Sequence, residues 1–561
     1  LKGIIMQNSL KSKKPSFMTN VSIILFAQIA IKILGMIYSL VITNFKGFGD
    51  MGNGYRAAGF QIYTLLLAIS SVGIPNAIAK MISEKTALND WHGAHRIFKT
   101  ALYLFAAVGL TASVLLFAFS GVISDYVIKM PGARYTLMAL SPSIFFVCVS
   151  SVIRGYFGGL QNMKATSNSQ VLEQVFKCTL TILIVYMLIG QSPEIMAAGA
   201  NLATSVATVL SFSYLIVFYR KRKSEIWDRV QKSDVKSENK PLGFVVKAIL
   251  MTSIPISLGS IITAINRIID TATITRGIEV AFANGFNSTA GFIANPTAEQ
   301  LSKEAVRLAG LLSKSDTLIN MPLALNIAFA TVLVPAISRA LALGKRDEAS
   351  DKVSYSLLIS ILLILPCAIG YITLAQPIYG LLYPNAKLGY DLLQLSSIAL
   401  IFTALNQTMS GSLQGMGKIF TPATGLFFGC IVKIILNIVL IRQPGINIYG
   451  AAISSIACQI VSFLICFTVL SKQITLKISF IKYIFKPLLA GVVMGTVAVL
   501  SYKVLMIAVH SNMISTLITI IIAAIVYFAM VVVLKILSRE EVLALPMGNK
   551  VLKMLEKMKV Y

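Results

Sequence analysis

Apolar runs of roughly 20 residues recur fourteen times along this chain, and no other property restricts its fold so severely. At 1.5 Å per residue, a helix of that length crosses about 30 Å of hydrocarbon, and only a helix or a closed barrel satisfies its backbone polar groups there. The runs fall at about 21–43, 57–80, 97–120, 135–158, 169–190 and 196–219, then at 245–271, 313–339, 353–375, 389–413, 421–442 and 448–471, and finally at 482–507 and 513–537. Of the 561 residues, 13% are charged and 56% hydrophobic. A soluble surface needs about 25% charged residues. The expectation is an all-α polytopic membrane protein with about 14 transmembrane helices. The first run is too long for a signal h-region and has no small-residue cleavage site after it, so no cleavable signal peptide is expected.

The chain also repeats itself. Sliding the sequence by 256 places lays Gly155 on Gly411, Gly159 on Gly415 and Lys177 on Lys433. Nearby shifts lay Leu140-Ser141 on Leu395-Ser396, Pro75 on Pro335 and Gly199-Ala200 on Gly450-Ala451. Small drifts of this kind arise from loop insertions between duplicated halves, and internal symmetry is a recurrent property of secondary transporters. Six runs is an even number, so the halves are parallel repeats, related by an axis along the membrane normal and facing each other across a cavity. The divisions expected are an N-terminal six-helix lobe (1–219), a basic cytoplasmic linker (220–244), a C-terminal six-helix lobe (245–471), and two extra helices with a basic tail (472–561).

Positive charge orients the runs. Lys11, Lys13 and Lys14 precede the first, Arg220-Lys221-Arg222-Lys223 follow the sixth, and Lys550, Lys553, Lys557 and Lys559 close the chain. With fourteen crossings these loops share one side, so both termini are expected in the cytoplasm, and most of the net charge of +27 is a topogenic signal. No nucleic-acid partner is needed to explain it. The opposite loop at about 272–312 is polar and is expected to be only partly ordered; the cluster Gly47, Gly49, Gly52 and Gly54 reads as an outer loop.

Charged residues within apolar runs cost several kcal/mol unless paired or hydrated, so each needs a reason. Lys32 lies near the middle of the first run, and Lys177 and Lys433 near the middle of the fifth and eleventh. Glu173, one turn before Lys177, is positioned to pair with it. Arg267 and Asp270 lie three apart in the seventh run, Asp316 near the start of the eighth, and Arg56 at the mouth of the second. Two readings stand: a cationic, water-filled cavity for an anionic phosphate or pyrophosphate, or interhelical salt bridges and snorkelling lysines. Arg267 with Asp270 leans to a structural pair. The glycines Gly155, Gly159, Gly411 and Gly415 serve either as close-packing faces or as hinges, and Pro75, Pro255, Pro322 and Pro335 either break or merely kink their helices.

Several chemistries are not indicated. There is no phosphate-binding G-x-x-x-x-G-K-[ST] motif, so the chain is not expected to hydrolyse ATP. The six cysteines all fall in apolar runs without metal-ligand spacing, and His92 with His95 lacks further ligands, so neither metal nor cofactor is expected. No carboxylate pair is placed for glycosyl or phosphoryl transfer, which disfavours an enzyme. Transport would draw on an ion gradient with an unidentified coupling ion, the membrane potential or downhill substrate flow.

The segments Lys32-Ile33-Leu34-Gly35-Met36-Ile37-Tyr38, Gly73-Ile74-Pro75-Asn76-Ala77-Ile78-Ala79-Lys80 with Ser83-Glu84, Met321-Pro322 and Val334-Pro335-Ala336-Ile337-Ser338-Arg339 resemble the multidrug/oligosaccharidyl-lipid/polysaccharide exporter superfamily. The resemblance is to its polysaccharide-transporter and MurJ-type lipid II flippase branch, nearest the members similar to stage V sporulation protein B. Lys32 and Asp316 keep charges of the MurJ pattern; Tyr38 stands where that pattern has a second arginine, and Thr317 and Asn320 replace its arginine and glutamate. The resemblance implies a monomeric V of two six-helix lobes in the bacterial cytoplasmic membrane, alternating access, a polyprenyl-pyrophosphate-linked saccharide as substrate, and a lipid-tail groove at the last two helices. Sporulation and vegetative wall synthesis are both open. The rival within the superfamily is a drug/cation antiporter, against which Lys32 and the last two runs count.

Overall fold

The computed structural model describes residues 17–68, 70, 73–233, 241–288, 291–543 and 552. In chain order the helices are α1 Phe17–Thr43, α2 Gly49–Ala68, α3 Ile74–Ala87, α4 Trp91–Ala118, α5 Ala133–Gly159, α6 Met163–Met187, α7 Pro193–Gln231 and α8 Leu242–Ala281. After the strands β1 Gly285–Ser288 and β2 Gly291–Ala294 come α9 Ala298–Ala342, α10 Arg346–Leu382, α11 Tyr390–Gly415, α12 Thr421–Leu440 and α13 Tyr449–Gln473. The chain continues through α14 Lys486–Val509, α15 Asn512–Val533 and the short α16 Arg539–Leu543. Where the residues are described, the apolar runs lie on helices. Among the described residues, ten helices are individually long and apolar enough to cross a membrane, and α8 makes eleven. The protein is an all-α multi-pass membrane protein.

The duplicated stretch explains the packing. Its two copies end α5 and α11, the two most buried of the ten spanning helices, at 72% and 50% of their apolar windows. Around α5 pack α3, α4, α7 and α2; around α11 pack α9, α10 and α13. One apolar core joins residues from Tyr38 to Leu215 with Val245, Ile249 and Val306, and another joins residues from Leu318 to Ile536. Helices α14 and α15 lie against α10, where Gly491 and Gly495 let α14 approach Ile369. Between the cores, α8 packs on α2, α3 and α4 as well as on α9 and α12, and α9 reaches back to α1 and α2.

Three expectations from the sequence change here. The segment 272–312 is largely helix: α8 runs on to Ala281, an antiparallel hairpin pairs Gly285 with Ala294 and Ser288 with Gly291, and α9 begins at Ala298. A capping box starts α9, with Thr297 N–H donating to Gln300 Oε1 at 2.8 Å and Gln300 N–H donating to Thr297 Oγ1 at 3.3 Å. Ile274, Ile278, Ala305, Leu308 and Leu312 then form a small core that orders these extensions. On the other side, α7 carries Arg220 to Lys223 onward as helix to Gln231; residues 234–240 of the linker lie outside the described residues. Finally, Gly52 and Gly54 belong to α2 and not to a loop. A Cβ on Gly54 would lie 2.1 Å from the Val306 carbonyl oxygen, and one on Gly310 would lie 1.9 Å from that of Asp50, so α2 and α9 meet backbone to backbone.

Prolines shape the middle of the bundle. In the second apolar run α2 ends at Ala68 and α3 starts at Ile74, with Pro75 in the first turn of α3, where its missing N–H leaves no helical acceptor unfilled. Helix α8 bends by 49° between Ile254 and Ile256, at Pro255. Pro335 lies within α9.

Candidate functional site

Helix α12 places Lys433 toward α8. The lysine is 2% exposed, and its ammonium donates to Asp270 Oδ2 at 2.6 Å and to the Asn266 carbonyl at 3.0 Å. Asn437, one turn further along α12, donates to Asp270 Oδ1 at 3.1 Å and contacts Thr273 Oγ1 at 2.9 Å. A buried carboxylate is tolerable only with a matched cation and satisfied lone pairs, and here both are supplied from the facing helix. Asp270 is therefore the partner of Lys433. The pairing with Arg267 expected from sequence does not form.

The equivalent lysine in the first half is held differently. Lys177 on α6 lies 4.4 Å from the ring centroid of Phe60 and 5.7 Å from that of Tyr38. Glu173, its expected helical partner, instead accepts from Arg154 at 2.8 Å, and Arg154 also donates to Ser169 and Ser211 at 3.0 Å. Arg56 lies 6.0 Å from the Tyr38 ring and donates to Asn53 Oδ1 at 2.7 Å and Ser39 Oγ at 3.3 Å. Among the described residues, Lys32, Arg56 and Lys177 have no carboxylate within ion-pair distance.

The remaining charges connect the two lysine sites. Lys32 on α1, Arg267 on α8 and Asp316 on α9 all keep accessible side chains. Lys32 lies within electrostatic range of Arg267, Lys177 and Tyr38, and Asp316 within range of Arg267, Asp270 and Lys433. Arg267 is thus within electrostatic range of both Lys32 and Asp316. Apart from Glu173, which pairs with Arg154, the charged residues singled out in the apolar runs form one linked set of five cations and two carboxylates. One of those carboxylates is already neutralised by Lys433. What remains is a positively charged surface with accessible donors in a low-dielectric surround, chemistry suited to an oxyanion.

The glycine pairs act in packing. Cβ atoms on Gly155 and Gly159 would lie 2.8 Å from the carbonyl oxygens of Pro75 and Ala79 on α3. On Gly411 and Gly415 they would lie 2.6 and 2.9 Å from those of Ala330 and Val334 on α9. The same helix pair is therefore sealed in both halves by backbone contact.

In the sequence Tyr38 stands out only as a replacement for an arginine, and Lys314, Asp50, Asn44 and Asn385 are not singled out. Tyr38 supplies the ring shared by Lys177 and Arg56. Lys314 on α9 is fully buried, pairs with Asp50 of α2 at 2.6 Å and donates to the carbonyls of Ala386 and Leu388 at 2.7 and 2.8 Å. Beside it, Asn44 donates to the Leu382 carbonyl at 2.8 Å, and Asn385 donates to that of Asn44 at 2.8 Å. A lysine and an aspartate close to the ends of apolar runs were the available signal for the Asp50–Lys314 link.

The site is thus a set of charges on α1, α2, α6, α8, α9 and α12 of a membrane-spanning helix bundle. The chain belongs to the polysaccharide biosynthesis protein family, whose pattern it matches over residues 17–341, and residues 292–526 match the family described as lipid II flippase MurJ. Stage V sporulation protein B of Bacillus subtilis (strain 168) is 23% identical over 471 residues, 84% of this chain and 86% of that protein. Lipid II flippase MurJ of the same organism is 22% identical over 453 residues, 77% of this chain and 79% of that protein. Among solved structures, the inward closed conformation of lipid II flippase MurJ superposes with a TM-score of 0.64 at 17% identity, covering 90% of this chain and 97% of that one. An inward-facing MATE-family multidrug transporter also gives 0.64, at 14% identity over 80% of this chain and 98% of that one. At these identities the structural likeness concerns the fold.

Proposed function

We propose that this protein is a flippase that carries a polyprenyl-pyrophosphate-linked saccharide, lipid II or a related cell-wall or polysaccharide precursor, across the bacterial cytoplasmic membrane by alternating access. The observation that carries the proposal is the cation excess at the junction of the halves, where among the described residues Lys32, Arg56 and Lys177 lack carboxylate partners while Lys433 has one. A pyrophosphate would complete the pairing: Lys32 contacts it, and Arg56, Lys177 and Arg267 add positive potential. Asp270, Asp316 and Lys433 set the local field. In this reading residues 1–219 and 245–471 are the two lobes, 220–244 the linker, and α14 with α15 the flank along which the lipid tail runs. Both termini face the cytoplasm, the transport unit is a monomer, and the protein moves its substrate without catalysing a reaction on it. The cation excess disfavours the alternative of a drug/cation antiporter, because a cationic drug would meet like charge.

Depleting the protein in its host and measuring which lipid-linked intermediate accumulates on the cytoplasmic leaflet tests the substrate. Accumulated lipid II or another lipid-linked glycan supports the proposal and identifies the cargo. No accumulation, with altered resistance to cationic drugs, would transfer the assignment to the antiporter. In proteoliposomes Lys32→Ala should slow translocation at least roughly tenfold, the effect of one lost charge-assisted contact; normal rates would remove Lys32 from the site.

A further inference from the structure

A second cationic site lies away from the junction, at the end of the bundle that bears the basic loops. The first turns of α4, the extension of α7 and the start of α8 enclose an open-sided cleft of about 640 Å³. Its rim carries Arg96 and Lys99, its walls include Tyr103, Trp227 and Leu242, and among the described residues no carboxylate lines it. At its base His95 is 9% exposed, and its Nδ1 atom is buried without a hydrogen-bond partner. The imidazole is fixed edge-on to the Trp227 ring, at 5.8 Å between centroids. A buried ring nitrogen with nothing to bond is costly, and His95 is one of the residues that line the cleft.

We propose that this cleft binds an anionic phospholipid, with its phosphate at Lys99 beside His95 and an acyl chain along Tyr103 and Leu242. Three features select a lipid over a free anion. Tyr103 and Leu242 are 73% and 62% exposed, apolar surface that an inorganic ion cannot cover. The apolar stretch of α4 begins at these cations, so the cleft sits where aromatic and basic residues mark the membrane–water interface. The charge complements a phosphate diester, and basic pockets between helices at the basic-loop side of a membrane suit such headgroups. Because α4 and α7 pack in the first half and α8 leads into the second, the lipid ties the start of α8 to the first half.

The two tryptophans make this testable, since Trp91→Phe leaves Trp227 as the single reporter. In the purified full chain, brominated phosphatidylglycerol should quench Trp227 at concentrations where brominated phosphatidylcholine does not. Lys99→Glu, at an accessible side chain, should raise the concentration needed by about tenfold or more. Leu242→Ser, on the opposite wall, should raise it as well, while Lys418→Gln on another basic loop should change nothing. Equal quenching by both lipids, or unchanged quenching of both the Lys99→Glu and Leu242→Ser proteins, would overturn the proposal. Displacement of the lipid by inorganic phosphate at similar concentrations would also overturn it, as the cleft would then be a free-anion site.

Discussion

Lys177 and Lys433 occupy the same place in two copies of one duplicated segment, yet they meet opposite environments. Lys433 is buried against Asp270, Asn266 and Asn437, its charge cancelled. Lys177 faces two aromatic rings and no carboxylate. Tyr38 on α1 does for Lys177 what Asp270 on α8 does for Lys433, but a ring leaves the positive charge available whereas a carboxylate consumes it. Duplication thus supplied two equivalent lysines, and a difference in the facing helix paired one with a carboxylate and set the other against aromatic rings.

The largest effect should come from breaking the second-half pair. Asp270→Ala strands a buried ammonium and should cost about 3–5 kcal/mol in thermal or denaturant unfolding, with much of the loss recovered by Asp270→Leu combined with Lys433→Met. If Asp270→Ala unfolds like the parent protein, Lys433 is no more structural than Lys177 and the contrast collapses. Next, Gly155→Ala and Gly411→Ala should each cost about 1–3 kcal/mol through overpacking, and by similar amounts, because both glycines seal the same helix pair. A stable Gly155→Ala protein with lost transport would instead make that glycine a hinge. The smallest effect on stability belongs to Lys177→Met, within about 1 kcal/mol because only cation–ring contacts are lost. Its transport rate should nevertheless drop at least roughly tenfold, as for Lys32→Ala. Equal transport by Lys177→Met and the parent protein would leave the cationic surface to Lys32, Arg56 and Arg267.

Much of this was legible in one dimension. The apolar runs announced the helices because hydrocarbon leaves the backbone no other partner, and the duplicated Gly-x-x-x-Gly stretches announced the two central helices. The charged positions were equally visible, since a charge in an apolar run is rare enough to stand out. The helical extensions around the β1–β2 hairpin were not visible in the same way. Their apolar residues, such as Ile278 and Leu308, are interspersed with charges, and the capping box at Thr297 carried the remaining signal.

What sequence alone determined is the inventory: which segments are helical and apolar, which of them are copies, and where charges are placed along them. Tertiary structure decided the partners. Spacing along a helix puts Glu173 beside Lys177 and Asp270 beside Arg267, and both pairings yield to residues on other helices, Arg154 and Lys433. The physical reason is that an exposed pair one turn apart gains only a few tenths of a kcal/mol. In a low-dielectric bundle, a carboxylate goes to whichever helix offers a cation together with enough hydrogen bonds to satisfy its oxygens. That choice depends on how the helices are rotated and how closely the glycines let them approach, and both are settled only when the bundle is packed.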